Sequence, residues 1–124
     1  MMLILRNSTP IDYSKMCNQT VTIYHKDGDE FTQATYDNAF LDFRKNQTVD
    51  KTGSKESNSF LLVLPGATQA VFVGDKVMLG TGPVINTQDA WKAHIPAIVP
   101  GLVVVDYVDP KYWHGKLVHT EAGG

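Results

Sequence analysis

Apolar and polar positions alternate along much of this chain, and a long polar stretch interrupts them near the middle. From Thr20 to His25, Val21, Ile23 and His25 fall on one side and Thr22 and Tyr24 on the other, the period of a half-buried strand. Lys26-Asp27-Gly28-Asp29 follows, and Asp-Gly between alternating runs predicts a type I′ hairpin turn, which needs positive φ at both central residues. Phe31 to Tyr36 is the predicted returning strand. Ala39, Leu41 and Phe43 face away from Asp42 and Arg44 in a predicted third strand. Asn46 to Ser59 then holds one apolar residue, Val49, and cannot form core. Loops beyond about 12–15 residues without structure of their own are usually functional arms or disordered segments, so 46–59 reads as a long mobile arm.

Beyond the arm, Phe60 to Leu64 is continuously apolar and bounded by Pro65-Gly66, as expected of a central strand covered on both faces. Ala70 to Gly80 contains two short β-type runs divided by Gly74-Asp75, which suggests a second hairpin. Thr87 to Ile95 predicts one helix of about two turns. Thr87 is its cap, Asp89 favours the positive end of its dipole and Pro96 stops it. Leu102 to Val108 is rich in β-branched residues and predicts the strongest strand. Asp109-Pro110 and Gly115 mark turns, and Lys116 to Glu121 reads as the final strand. The sum is an all-β chain, a small barrel or sandwich of about seven short strands with one short helix and a long polar loop.

A chain of 124 residues that is 43% hydrophobic supports one core. The expected organisation is a single β domain, 1–124, with an N-terminal extension over 1–19. A net charge of −2 gives no whole-molecule attraction for phosphate backbones or anionic lipid. One cysteine, Cys17, cannot form an internal disulfide. The apolar run Met1 to Leu5 ends at Arg6, short of a signal-peptide core or a membrane span. Folding in the cytosol is the expectation, and the three Asn-x-Ser/Thr matches at Asn7, Asn18 and Asn46 then read as chance.

Catalytic and metal chemistry find little purchase. His114 and His119 are close in sequence, but zinc needs three or four ligands and Cys17 is far away. There is no G-x-S-x-G, and only Lys15 stands near Cys17 to favour a thiolate. Gly80-Thr81-Gly82-Pro83 lacks the lysine of a phosphate loop, and Pro83 removes a donor. The expectation is no enzyme, no cofactor and no metal. Two groups remain as interface or arm candidates. Arg44, Lys45, Asp50, Lys51 and Lys55 lie at or within the arm, where a few mobile cations suffice for weak, salt-sensitive phosphate contact. Asp50 and Glu56 dilute that charge, and no aromatic residue there offers a stacking platform. Tyr107, Tyr112, Trp113 and His114 flank Asp109-Pro110-Lys111. They read equally as an interface hot spot or as a satellite cluster closing one end of a barrel.

The order of V-T-I-Y-H-K-D-G, F-x-D-F-R-K, F-L-L-V-L-P, V-G-D-K-V-M-L-G, a short Trp-containing helix and P-G-L-V-V-V-D-Y-V-D-P-K-Y-W-H-G resembles the small head-completion proteins of tailed phages and prophages of Gram-positive bacteria. The resemblance runs from about Thr20 to Gly124. It implies a β-barrel subunit of the virion that forms a ring with itself at the head-tail junction, between portal or adaptor and tail proteins, after assembly in the host cytoplasm. Stopper-type members carry a loop that reaches the central channel, and 46–59 would be its counterpart, with weak contact to packaged DNA. Adaptor, stopper, tail terminator and minor capsid layers all stay open. An OB-like nucleic-acid- or ligand-binding module and a tail-tube component are the alternatives.

Overall fold

The computed structural model describes residues 13, 15–50 and 53–124, the side chains of 45–50 and 53–58 excepted. Seven antiparallel strands form one curled half-barrel sheet: β1 (Gln19–Asp27), β2 (Glu30–Asp50), β3 (Gly53–Pro65), β4 (Lys76–Leu79), β5 (Leu102–Val104), β6 (Tyr107–Trp113) and β7 (Lys116–Gly123), in the order β5-β4-β1-β2-β3-β7-β6. One short helix, α1 (Gln88–Ala93), lies between β4 and β5. Among the described residues the all-β expectation with one helix holds, and the choice between barrel and sandwich resolves to a curled single sheet.

The curl follows from connectivity. Only Val105 and Asp106 separate β5 from β6, yet these strands are the two edges of the sheet. Six intervals of about 4.8 Å would hold the edges of a flat sheet roughly 29 Å apart. The three peptide units from Val104 to Tyr107 span at most about 11 Å. The predicted single strand over 102–108 therefore breaks at this point, because the chain changes partners. Val105 N–H donates to Asp75 O at 2.9 Å, whereas Asp106 N–H donates to Gly123 O at 2.8 Å.

Other expectations change as well. Asp109-Pro110, expected as a turn, lies inside β6, paired with Glu121 and Thr120; β6 is an edge strand, where a proline without an N–H is tolerated. β2 is one long strand where two were predicted. Its pairing with β1 shifts register between Gln19↔Ala39 and Val21↔Tyr36, so Asp37-Asn38 is absorbed as a bulge, and a bulge bends the strand without ending it. β2 can then leave β1 and pair with β3 from Phe40↔Val63 onward. The first turn has Gly28-Asp29 at its centre, closed by Asp27↔Glu30, and of those two only Gly28 takes positive φ, at 60°. That is the type II′ pattern, with glycine first, in place of type I′. The segment before Gly74 is not a strand: the Asp75 carboxylate accepts the Phe72 N–H at 2.9 Å, and such local side-chain bonds displace ladder bonds.

Val21 and Ile23 of β1, Leu41 of β2, Leu62 and Leu64 of β3, Val77 of β4 and Val105 converge on the core. β1 is also covered on its other face, where Thr22 and Tyr24 are fully buried. The Tyr24 hydroxyl donates to Pro83 O at 2.8 Å, which holds the 80–83 loop against the sheet. Gly82 is needed there, because a Cβ at that position would collide with the Tyr24 hydroxyl.

Candidate functional site

The polar segment 46–59 is carried on paired backbone. β2 and β3 continue past the sheet from Arg44↔Ser59 to Asp50↔Gly53. β7 pairs with β3 only from Leu61↔Gly123, and β1 pairs with β2 only as far as Ala39. The result is a two-stranded ribbon of seven residue pairs, 44–50 against 59–53, about 20 Å long at 3.3–3.4 Å per residue. Backbone pairing needs no apolar alternation, so a segment without it still forms strands here, as a continuation of the β2–β3 ladder. Lys45 sits opposite Asn58, Lys55 opposite Thr48, and Asp50 opposite Gly53 at the end of the ladder. Lys51 lies outside the described residues. At the base, Arg44 donates from Nε to Asp42 Oδ2 at 3.2 Å.

The four aromatic-cluster residues do not meet Arg44 as one site. They divide between the two ends of β6, about 20 Å apart along the strand. At one end, Tyr107 is half exposed and its ring lies over Gly123, where a Cβ would strike it. At the other, Trp113↔Lys116 closes a two-residue turn in which His114 and Gly115 have φ of 52° and 78°. Two positive φ values define the primed turn that matches strand twist. Trp113 and His114 stack edge to face with centroids 4.8 Å apart, and Tyr112 and Trp113 are 64% and 44% exposed. Tyr112 and Trp113 are thus not buried in a satellite cluster at this end of the sheet.

Between the ribbon base and β5 runs a slot of about 610 Å³, lined by Phe43, Arg44, Phe60, Leu102, Val103 and Asp106 among others. Sequence reasoning singled out only Arg44 from this group. Its members come from three stretches far apart in sequence, so no local pattern announces them. The one available signal was Asp106, a carboxylate ending the β-branched run Val103-Val104-Val105.

Two polar clusters are buried beneath α1 and the 70–75 loop. Lys76 Nζ donates to Trp91 O at 2.6 Å, and burial followed by repulsion from Lys26 lowers its pKa. His94, 3% exposed, lies edge-on to Tyr24, and burial and then Lys76 hold its pKa below the ordinary histidine value. His25 Nδ1 and Asp75 Oδ1 are 2.5 Å apart, with the carboxylate 2% exposed. The period-two pattern put His25 on the apolar face but could not supply Asp75, which is fifty positions away.

Among the described residues, no group of three or more His, Cys, Asp or Glu is placed to hold a metal ion. His119 is hydrogen-bonded to Tyr13 Oη at 2.6 Å and faces Glu121 at 3.0 Å. Burial pushes the Cys17 thiol up, which opposes thiolate formation. No described helix is long and apolar enough to cross a membrane. Comparisons with protein-family models, curated proteins and solved structures found no match.

Proposed function

We propose that this protein is a non-enzymatic structural subunit of a phage or prophage virion, acting at the head-tail junction as a head-closure or minor capsid component. One observation carries the reading beyond the motif resemblance: the two-stranded ribbon that continues past the body from Arg44↔Ser59 to Asp50↔Gly53. A polar ribbon about 20 Å long offers little apolar surface for burial, and among the described residues neither of its outer edges has a strand partner, so a neighbour can satisfy those backbone groups. The half-barrel supplies the rigid body, and the ribbon supplies reach toward an adjacent subunit, the portal or packaged DNA. The partners on this reading are further copies in a ring, a portal or adaptor on one side and tail proteins on the other. No reaction or cofactor is involved. In isolation the chain is a monomer or a weak oligomer, with the portal acting as template.

The test is electron microscopy of lysates from a prophage lacking this gene. Heads accumulating beside detached tails are expected. Normal infectious particles would overturn the reading and favour an OB-like binding module, whose signature is a saturable, salt-dependent shift with single-stranded oligonucleotides.

A further inference from the structure

We propose that the β6–β7 turn and the slot beside β5 are the two halves of one contact between copies of this chain, a knob and its socket. The inference rests on the ring reading and deepens it by naming the surfaces that meet.

The knob is stiff and apolar. A primed two-residue turn fixes Trp113 opposite Lys116, and Trp113 and Tyr112 stand in solvent. Trp and Tyr provide large contact area with few rotatable bonds and dominate interface energetics. The socket is complementary in shape and chemistry. Its 610 Å³ are walled by Phe43, Phe60, Leu102 and Val103, room for one large aromatic side chain and part of a second. It also presents backbone polar groups. Leu79 N–H to Gly101 O and Val105 N–H to Asp75 O turn residues 101, 103 and 105 toward β4. Backbone groups alternate along a strand, so those of Leu102 and Val104 face away from β4, on the slot side. An indole N–H, which can only donate, finds carbonyl acceptors there.

Charge selects the occupant. Arg44 and Asp106 are the charged side chains among the described lining residues, and Arg44 is turned to Asp42 at 3.2 Å, which leaves the exposed Asp106 as the carboxylate open to an incoming cation. Lys116 stands beside Trp113 at the knob, and the neighbouring Lys111 is bound to Asp109 at 2.7 Å. A second copy therefore brings a lysine to a carboxylate as its tryptophan enters an apolar slot.

Geometry makes the contact head-to-tail. Knob and socket lie at opposite ends of β6, about 20 Å apart along the strand, so a molecule cannot fill its own socket. Two different patches meeting in this way generate a ring when the rotation closes and a filament when it does not.

Sedimentation velocity at near-millimolar protein and low salt tests the pairing. Wild-type protein is expected to sediment faster with increasing concentration. Asp106→Lys and Lys116→Asp should each weaken this association at least tenfold, and the double variant should restore it. Trp113→Ser, at an exposed turn, should abolish it without changing the melting temperature. A wild type that stays monomeric throughout, a double variant that is not rescued, or a Trp113→Ser variant that associates normally would each overturn the knob-and-socket assignment. The gene-deletion phenotype judges the virion reading separately, since normal particles sink that reading whether or not the copies associate.

Discussion

The ammonium of Lys76 lies 4.2 Å from the centroid of the Trp91 ring and donates a hydrogen bond to the carbonyl of that same residue. β4 thereby holds α1 by its last turn, close to the negative end of the helix dipole. Lys76 is only 6% exposed. Its ammonium has given up most of its hydration for one hydrogen bond and one ring, and the lowered pKa has that cause first.

Two substitutions separate the charge from the stem. Lys76→Met keeps the methylene packing and removes a buried charge, and such exchanges are often neutral, so a change within about 1 kcal/mol is expected. Lys76→Ala also empties the space beneath Trp91 and should cost about 2–5 kcal/mol. Urea denaturation followed by Trp fluorescence, in a Trp113→Phe background, measures both. Equal losses would mean that the ammonium, and not its stem, holds the helix.

His94 makes stability depend on pH. It is buried against Tyr24 of β1, with Lys76 of β4 as the charged neighbour and Lys26 acting on that lysine in turn. Its Nε2 has no hydrogen-bond partner among the described residues. Because folding lowers its pKa, the unfolded chain binds the proton more tightly. The stabilisation is complete above the unfolded value, near pH 6.5, and is lost as pH falls from there toward the depressed folded value. Thermal melts between pH 7.5 and 5 should show a decline of at most about 1.4 kcal/mol per pH unit from this one proton. His94→Gln should flatten that part of the profile, and an unchanged slope would assign the dependence to other groups.

Gly82→Ala should destabilise more than its size suggests. The added Cβ meets the Tyr24 hydroxyl and, at 2.9 Å, Met78 Sδ. Tyr24 is fully buried and tied to Pro83, so it cannot swing away without breaking that bond. Overpacking of this kind costs about 1–3 kcal/mol. Tyr24→Phe in the same chain should recover part of the loss by removing the colliding oxygen, and no recovery would locate the strain elsewhere.

The sequence shows the parts of this fold that repeat locally. Val21 and Ile23 point inward as their alternation requires, Thr87 caps the helix by accepting the Ala90 N–H at 3.2 Å, and Gly115 sits in the last hairpin turn. What it does not show depends on distant partners. Asp37-Asn38 looks like a break until β1 is present to reveal a bulge. Val105-Asp106 lies inside a β-branched run, and only the competing claims of Asp75 and Gly123 split it. The polar stretch gives no period because its two strands are paired through their backbones, and backbone pairing needs no apolar alternation. The slot is less legible still, for Phe43, Phe60 and Val103 share a wall only after the sheet has curled.

The ribbon offers the sharpest division between folding and function. Replacing residues 45–58 by Asn-Gly would join Arg44 to Ser59, which already face each other across the ladder, through a two-residue turn that antiparallel strands accept. Among the residues whose side chains are described, the core cluster has no member between Leu41 and Phe60, and shortening a connection changes chain-closure entropy by only about 0.6 kcal/mol per halving of length. Unfolding free energy should therefore stay within about 1 kcal/mol of wild type, with a denaturant slope reduced only by the lost ribbon surface. On the proposed function the same variant, supplied in place of the wild-type gene, should fail to join heads to tails. If it supports normal particle yields, the ribbon has no role in assembly; if it fails to fold, the ribbon is a structural element of the half-barrel, and the reach argument falls.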